Sequence, residues 1–354
     1  MAAPGAVTRR SSGLTLSLSL SLAVILLIGV FASALAGQLP VAASDVIGSI
    51  LRALGIDTAW APDDPLVEST LWAVRFPRIV MGLFVGAALA VAGAVMQAIF
   101  GNPLAEPGVV GVSAGAALGA SIAIAAGITV FGGWSLAVFA FAGSLVATLL
   151  VYFVSRANGR TEVVTLLLTG IAVNAVAGAG LALVQFLSDS ASREQIVFWQ
   201  LGSLNGSRWP EVAIVAVVCV VGVIIATSLG RRYDLLSLGE RNARHLGVDI
   251  ERLRMGSIVL VAMLTGVAVA FCGIIAFVGL VVPHIVRMVI GPAHRPLIVA
   301  SAVGGGALLV LADLLTRTLI PGADLPIGIL TALVGGPFFF FLLARQRSRS
   351  GGWA

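Results

Sequence analysis

Lysine is absent from this sequence of 354 residues: all 21 basic residues are arginine. A P-loop needs a lysine for the nucleotide phosphates, and Schiff-base chemistry needs a lysine amine. The missing lysine therefore excludes P-loop ATP hydrolysis and lysine-based covalent catalysis. If ATP drives the function of this protein, another chain must hydrolyse it.

Cysteine and histidine are also scarce. Cys219 and Cys272 lie singly in apolar stretches, a position typical of core residues and not of a disulfide framework. The three histidines are well separated along the sequence, so no histidine metal cluster is indicated. We expect neither a metal nor another cofactor, and no nucleic-acid partner.

Charge is low throughout the chain. Charged residues make up 10% of the sequence, hydrophobic residues make up 59%, and the mean hydropathy is +1.07. Soluble domains carry about 25% charged residues, so the composition predicts an all-α integral membrane protein. Hydropathy and helix breakers together predict ten spans, each of about 20 residues. They are 14–36, 76–99, 107–128, 134–155, 164–187, 211–229, 255–272, 274–291, 296–318 and 325–344. The 42 glycines suit helices that pack closely within a membrane.

The distribution of arginine predicts the orientation. With the amino terminus in the cytoplasm, the cytoplasmic segments hold most of the arginines, and the acids cluster outside among residues 45–68. This arrangement obeys the positive-inside rule. The sequence thus predicts a multi-pass protein of a bacterial plasma (inner) membrane, with cytoplasmic tails at residues 1–13 and 345–354. Residues 14–344 form a single transmembrane domain.

A charged segment, residues 233–254, interrupts the apolar sequence. It contains four acids, four arginines and a histidine, and therefore must lie in water between two spans. Leucine and alanine recur within it at roughly helical spacing as far as Gly247, which predicts a short amphipathic helix at about 234–247. The apolar face of this helix either lies on lipid headgroups or docks on a cytosolic partner.

Two interrupted helices indicate an internal repeat. Residues 88–107 read ALAVAGAVMQAIFGNPLAEP, and residues 267–284 read VAVAFCGIIAFVGLVVPH. Each is a small-residue helix that runs into a proline-containing break, and in the predicted topology they run in opposite directions. Paired interrupted helices of this kind are typical of transport pathways. Chance similarity between apolar helices is the alternative.

Five segments resemble the permease family of ABC importers for iron-siderophores, haem and vitamin B12. They are VRFPRIVMGLFVGAALAVAGAVMQAIFGNPLAEPGVVGVSAGAALGA from residue 74, WQLGSLNGSRW from 199, SLGERNARHLGV from 237, GIIAFVGLVVPHIVR from 273 and ADLLTRTLIPGADLPIGILTALVGGPFFFFLL from 312. The resemblance covers residues 15–345. It implies ten spans, with spans two to five and seven to ten as inverted repeats.

The resemblance also implies the partners. They are a second permease subunit, identical or different, two cytosolic ATPase subunits, and an external or periplasmic substrate-binding protein. The charged segment would hold coupling helices that fit a cleft on each ATPase, with eight residues in that role. These are Leu235, Leu238, Gly239, Glu240, Ala243, Arg244, Leu246 and Gly247. The implied function is inward movement of an iron-siderophore, haem or corrinoid.

Three arginines are candidates for docking the external binding protein. Arg75 and Arg78 flank Phe76-Pro77 at the outer end of the second span, and Arg317 lies near the outer end of the ninth. In the family, arginines at these positions face acidic side chains of the binding protein, and the guanidinium fork suits carboxylates. We expect them to be partly exposed. Snorkelling to lipid headgroups is the alternative.

The remaining candidates divide into architectural and pathway residues. Asn102 and Pro103 end a helix that cannot continue through proline, and Pro283 and His284 interrupt the eighth span. His284 is either a cargo ligand or a packing residue. The resemblance implies that the fifth span lines the pathway, with Thr161 and Thr165 near a cytoplasmic gate and Thr169 and Asn174 deeper in the span. Ordinary helix contacts explain all four equally well.

Two other functions are alternatives. A secondary transporter driven by an ion gradient would need a titratable acid within the bundle. Asp313 is the main candidate, but Arg317 lies one helical turn away and should pair with it. A membrane-embedded enzyme would need a nucleophile with its base or a metal cluster, and the sequence indicates neither.

Overall fold

The computed structural model describes residues 4–157, 160–320 and 322–349. Its helices are α1 (Pro4–Leu35), α2 (Ala43–Ala53), α3 (Pro65–Thr70), α4 (Phe76–Phe100), α5 (Val112–Ala125), α6 (Ser135–Val154), α7 (Val163–Leu187), α8 (Ser190–Gln200), α9 (Trp209–Leu236), α10 (Glu240–His245), α11 (Ile250–Cys272), α12 (Val278–Ile290), α13 (His294–Thr318) and α14 (Ile327–Arg349). The strands β1 (Arg156–Ala157) and β2 (Arg160–Thr161) pair antiparallel. Short 3₁₀ turns precede α5 and α6, and a π-helical turn at Leu71–Arg75 precedes α4.

The apolar helices follow the predicted spans. Among the described residues, seven helical stretches are long and apolar enough to cross a membrane, and three further apolar helices are shorter. α6 and α7 begin and end within one residue of the predicted spans 134–155 and 164–187. The prediction of a nearly all-helical membrane protein is therefore confirmed, while ten crossings and inverted repeats remain predictions.

The helix α4 is the central element of the bundle. Nearly every residue from Val85 to Ile99 is buried, because α9, α11, α12 and α13 pack around it, and α1 packs on the outside of α13. Small side chains make this crowding feasible, since they let helix backbones approach closely. A Cβ atom on Gly86 would lie 2.2 Å from the Gly305 carbonyl oxygen of α13, and one on Gly93 would lie 1.8 Å from that of Gly279 in α12. Both crossings therefore require glycine.

A second group, made of α5, α6 and α7, packs beside the first. α5 and α6 cross at Gly115 and Gly143, where a Cβ on either residue would overlap the other's carbonyl oxygen. α7 is covered much less than α4, and its exposed apolar side chains include Val164, Ile171 and Phe186. This helix thus leaves a large apolar face for lipid or for another subunit.

We call the end of the bundle where α4 begins and α13 ends the outer end, after the orientation predicted from the sequence, and α4 starts irregularly there. The helical stretch runs without a break from Pro65 to Phe100, with the π-helical turn in its middle. Pro77 has no N–H to donate to the carbonyl four residues earlier, and the N–H of Phe76 donates to the Leu71 carbonyl five residues back. The predicted span at 76–99 is therefore the carboxyl-terminal part of a longer helical stretch.

Other differences from the prediction concern the ends of spans and the loops. α1 is helical from Pro4, so the predicted tail of residues 1–13 is helical over its described part; residues 1–3 and 350–354 lie outside the described residues. α14 continues to Arg349 through most of the predicted carboxyl-terminal tail. The expected loops at 37–75 and 188–210 contain α2, α3 and α8, and the Asp189 carboxylate caps α8 by accepting the Ser192 N–H at 2.7 Å.

Candidate functional site

A buried ion-pair network joins α4 to α13 at their outer ends. The Arg78 Nε atom donates to Asp313 Oδ1 at 2.9 Å, and its Nη1 atom donates to Asp324 Oδ2 at 2.8 Å. Arg78 is 7% exposed and Asp313 is 2% exposed. The predicted pair between Asp313 and Arg317 is confirmed, with 3.2 Å between Asp313 Oδ2 and Arg317 Nε. One buried carboxylate thus holds two arginines.

Two of the candidate docking arginines also hold the end of α1. Arg75 Nη1 donates to the Ala34 and Leu35 carbonyls at 2.6 and 3.0 Å, and Arg317 Nη1 donates to the Ala36 carbonyl at 3.1 Å. The last carbonyls of a helix have no partners within that helix and favour a nearby cation. Arg75 and Arg317 therefore cap α1.

These contacts correct the expected exposure of the three arginines. Arg75 and Arg78 are buried rather than partly exposed, and Arg317 has only 9% of its side chain accessible. All three nevertheless line an outer cavity of about 390 Å³, together with Asn205 and Asp324. Any external acidic group that reaches them there must compete with contacts that the chain already makes. Their docking role stays a prediction.

Two helix breaks meet in the bundle. α4 ends at Gly101, whose φ of 59° is left-handed, and the Asn102 Oδ1 atom then accepts the Leu104 N–H at 2.9 Å. The second break, residues 273–277, separates α11 from α12. The carboxylate of Glu106 in the first break accepts the N–H of Phe277 in the second at 3.0 Å. The two interrupted segments of the predicted repeat are therefore in direct contact.

The predicted architectural residues lie around this junction. The His284 ring lies against the Pro103 carbonyl, and Pro283 is buried within α12. This contact supports the packing role that was one alternative for His284. Glu106 was missed from the sequence, because an acid beside two prolines looks like an ordinary loop residue. Phe277, with a φ of 69°, is the non-glycine residue with positive φ among those described, and no sequence pattern indicates it.

The four candidate pathway residues do not form one cluster. The Thr161 N–H donates to the Glu251 carboxylate at 3.1 Å, and this contact ties β2 to α11. The Thr165 hydroxyl donates to Glu162 at 3.1 Å. Thr169 lines an apolar cavity of about 510 Å³ between α5, α6 and α7, and Asn174 Nδ2 donates to the Gly108 carbonyl at 3.2 Å. All but Thr169 thus make helix or loop contacts, and a pathway role stays a prediction.

The charged segment differs from the single amphipathic helix that was predicted. α9 continues to Leu236, so Leu235 belongs to a long helix, and the chain then breaks at Gly239, whose φ is 96°. α10 covers only Glu240–His245, and Gly247 follows with a φ of 84°. The two glycines allow the sharp reversals on either side of α10, since positive φ is costly for other residues.

The α10 segment presents two leucines to solvent. Leu238 and Leu246 are each 58% exposed, whereas Ala243 between them is fully buried against the bundle. The side chains of Arg244 and Glu240 are about half exposed and make a weak pair of 3.5 Å. The exposed face therefore combines two large apolar groups with charges, a composition typical of docking surfaces.

Internal contacts fix α10 in place. Glu240 Oε1 pairs with Arg254 Nη2 at 2.5 Å, and Arg254 Nη1 donates to the Thr161 carbonyl at 3.0 Å. At the end of α9, the Asp234 carboxylate accepts the His294 N–H at 2.9 Å and lies 2.7 Å from the His294 ring. α10 is thus anchored to α11 and β2, and Glu240 has a structural contact besides any docking role.

Comparison with known proteins identifies the family. The model of the FecCD transport family matches residues 25–345. The chain belongs to the FecCD transport family.

Similar FecCD-like proteins carry transport names. The chain is 44% identical over 279 residues to the cobalamin import system permease protein BtuC of Halobacterium salinarum, covering 78% of this chain and 74% of that protein. It is 39% identical over 303 residues to the hemin transport system permease protein HmuU of Yersinia pestis, covering 84% and 90%. A solved metal-chelate type ABC transporter in an inward-facing conformation superposes with a TM-score of 0.79 and 31% identity, covering 93% of this chain and 99% of that one.

The FecCD match includes every residue proposed above for docking, coupling, pathway and architecture. All of them lie between Arg75 and Arg317, well inside residues 25–345. The resemblance first seen in short motifs therefore extends over the whole helical bundle. The similar proteins are named as permeases of import systems, and the permease family suggested by the sequence is confirmed.

Proposed function

We propose that this chain is the permease subunit of a binding-protein-dependent ABC importer that moves an iron-siderophore, haem or corrinoid inward. ATP hydrolysis would occur on a separate subunit, and this chain would catalyse no covalent chemistry. The FecCD match and the cobalamin and hemin permeases among its relatives support this function. Among the structural observations, the α10 segment carries the proposal.

The α10 segment has the features of a coupling element. It lies between two long apolar helices, presents Leu238 and Leu246 to solvent, and is fastened to the bundle through Glu240 and Arg254. Exposed leucines favour burial in a cleft of a partner, and the fastening would transmit a displacement of α10 to α11. A cytosolic ATPase is the partner this role requires. Each nucleotide state would favour one conformation of the permease through different contacts with α10.

The remaining parts of the assembly follow from the same function. Two permease subunits would enclose one pathway, two ATPase subunits would bind on the cytoplasmic side, and an external binding protein would deliver the cargo. The exposed apolar face of α7 suits a lipid or subunit contact. In this arrangement the protein spans the plasma membrane ten times, with both termini in the cytoplasm.

The inverted repeat gains support from the two helix breaks. α4, its break and the short helix α5 correspond to α11, its break and the short helix α12, and the breaks meet at Glu106 and Phe277. Paired interrupted helices that meet within the bundle are typical of transporters built from two inverted halves. The halves of the chain would therefore move relative to each other around this junction.

The ion-gradient alternative is weakened by the environment of Asp313. A proton-coupled carrier needs an acid that gains and loses its proton during the cycle. Asp313 is held in ion pairs by both Arg78 and Arg317, with 2.9 Å and 3.2 Å between the paired atoms. Such a carboxylate suits a fixed structural pair better than a proton site.

Reconstitution into liposomes tests the function. The chain would be co-purified with candidate ATPase and binding-protein subunits from the same organism, and uptake of vitamin B12, haem and a ferric siderophore would be measured separately. We expect uptake of one cargo class that requires ATP and the binding protein. Uptake that an ion gradient alone supports, without the ATPase, would contradict the proposal.

A further inference from the structure

A polar cavity lies beside α10, and we call it the α10 cavity. Its volume is about 420 Å³, and its walls are the end of α4, the segment before α10, and the side chains of Arg254, Arg287 and His294. Ser237, Gly239 and Glu240 form part of its wall and are exposed, so the cavity is open to solvent along this edge. Ligand-binding pockets have volumes of roughly 300–1,000 Å³, so this space exceeds the needs of a single water molecule.

Three side chains of this cavity have buried polar atoms without hydrogen-bond partners. They are the Gln97 Oε1, Arg254 Nε and Arg287 Nη2 atoms. Gln97 is 1% exposed and Arg254 is 5% exposed, so solvent does not readily satisfy these groups. A buried polar atom without a partner is unfavourable, and native structures contain few of them. Their concentration around one cavity indicates a missing polar ligand.

The charges of the cavity specify the kind of ligand. Arg254 forms an ion pair with Glu240, and the Asp234 carboxylate accepts the backbone N–H of His294 and lies 2.7 Å from the His294 ring. Arg287 forms no ion pair within the part of the chain that the structure describes, so its charge has no direct partner beside the cavity. The acid in the cavity wall, Glu240, already pairs with Arg254 and has 47% of its side chain exposed. A neutral ligand or water would satisfy hydrogen bonds but would leave this charge.

We propose that the α10 cavity binds a phosphate-type oxyanion that also carries a hydroxyl group. The anionic oxygens would accept hydrogen bonds from Arg287 and from Arg254 Nε, since guanidinium groups match phosphate geometry. The hydroxyl would donate to Gln97 Oε1. Two sources share this chemistry: inorganic phosphate and the headgroup of phosphatidylglycerol. This binding goes beyond the transport function and does not depend on an ATPase.

Occupancy of the cavity has a structural consequence. The ligand would contact α4 through Gln97, α11 through Arg254 and α12 through Arg287, directly behind Gly239 and Glu240. The position of α10 relative to the bundle would then be more tightly defined when the anion is bound. The bound anion would thus stabilise the position of the α10 segment, the surface proposed to dock a partner.

The test uses the full-length chain in nanodiscs without partner subunits. One sample contains phosphatidylcholine alone, a second contains added phosphatidylglycerol, and a third contains phosphatidylcholine with inorganic phosphate in the buffer. We expect one of the last two to raise the thermal midpoint of unfolding, and native mass spectrometry should detect the bound species. Phosphatidylglycerol identifies a lipid site, and inorganic phosphate identifies a soluble ligand.

Two variants distinguish this site from general charge effects. Arg287→Gln should weaken binding by about tenfold or more, as expected for losing one charge-assisted hydrogen bond. The matched control is Arg252→Gln, because Arg252 has 85% of its side chain exposed, lies in the same polar segment and does not line the cavity. It should bind as the unmodified chain does.

The free protein gives a second readout. Without anion, Arg287→Gln should unfold at the same temperature as the unmodified chain or higher, because it removes a half-buried charge that has no ion-pair partner. If Arg287→Gln does not fold, Arg287→Lys serves instead. It retains the charge but lacks the forked guanidinium group, so anion binding should still be weakened. The proposal is overturned if neither anion binds the unmodified chain, or if Arg287→Gln and Arg252→Gln respond equally.

Discussion

The arginines at the two ends of the helix bundle differ in how many partners they have within the chain. At the outer end, Arg75, Arg78 and Arg317 all contact carboxylates or carbonyls of the same chain. At the α10 end, Arg287 has a buried nitrogen without a partner, and two leucines stand exposed nearby. The three outer arginines are therefore held by contacts within the chain, whereas Arg287 at the α10 end forms no ion pair among the described residues. We infer that partners at the outer end must displace internal contacts, while those at the α10 end add new ones.

The largest expected effect tests whether these ends lie on opposite sides of the membrane. Single cysteines at Asp63 and Ser190, in a background without Cys219 and Cys272, should react with an impermeant reagent in intact cells. A cysteine at Asn242 should react only after the membrane is opened. All three positions are exposed in the structure, so burial does not limit the reaction. Labelling of Asn242 from outside would remove the basis for a cytosolic partner at α10.

The next largest effect concerns the ion pairs that Asp313 forms with Arg78 and Arg317 at the outer end. Asp313→Asn should lower the free energy of unfolding by about 3–5 kcal/mol, because it leaves two buried arginines facing a neutral group. Chemical denaturation in detergent micelles measures this loss.

Removal of an exposed charge provides the control for Asp313. Arg252→Gln breaks a surface pair with Asp249, and such pairs contribute about 0–1 kcal/mol. If Asp313→Asn is no more destabilising than this control, the outer network does not hold α4 and α13 together.

The third prediction concerns Leu238 and Leu246 at the α10 end, where we expect a partner to add contacts. The double change Leu238→Ala and Leu246→Ala should leave the unfolding transition unchanged but weaken ATPase association by about tenfold or more. Full burial of a leucine contributes about 1.5–3 kcal/mol, and each tenfold change in affinity requires 1.4 kcal/mol. Quantitative pull-down of the ATPase subunit measures the effect.

A leucine on the opposite face serves as the control. Leu54 follows α2 and is 71% exposed, so Leu54→Ala removes a comparable apolar group at the outer end. It should not change ATPase association. An equal loss in both variants would mean that general surface hydrophobicity, and not α10, determines binding.

The smallest expected effect tests whether Asp324 and an acid of the external binding protein compete for Arg78. Asp324 has 38% of its side chain exposed and occupies the Nη1 atom of Arg78. If an external acid uses the same arginine, Asp324→Asn should strengthen binding of the substrate-loaded binding protein by about two- to fivefold, as expected for a partly exposed pair. Surface plasmon resonance over a salt series measures it, since such contacts are screened. Asp63→Asn makes the same charge change in the outer loop and should have little effect; a weakening in Asp324→Asn would exclude competition.

The sequence predicts the long helices well because their signal is local. α6 and α7 are uninterrupted apolar runs with polar residues at both ends, and the structure differs by at most one residue at either end. The predicted end of a helix is less accurate where the helix continues beyond its apolar residues. α9 was expected to stop at 229 before Arg231 and Arg232, yet it continues to Leu236, because charge marks the edge of lipid and not the end of hydrogen bonding.

Local sequence patterns do not predict contacts between residues that are far apart in the sequence. Arg78 and Asp313 are 235 residues apart, and Glu106 and Phe277 are 171 apart, so no periodicity connects them. Residue types that suit external docking also suit internal pairing, and only the fold distinguishes the two for Arg75 and Arg317. The exposure of Leu238 and Leu246, in contrast, agrees with their place in a charged segment.

The glycine crossings of α4 have a mechanical consequence. Where Gly93 meets Gly279 and Gly86 meets Gly305, the helix backbones touch each other directly, because neither glycine places a side chain between them. Interlocked side chains resist a change of crossing angle, because each must leave its groove before the helices turn. A bare backbone contact resists much less and works as a pivot. α12 thus has a fulcrum on α4 at Gly93, about which its two ends would swing in opposite directions, whereas the Arg78–Asp313 ion pair ties α13 to α4 away from the glycine contact.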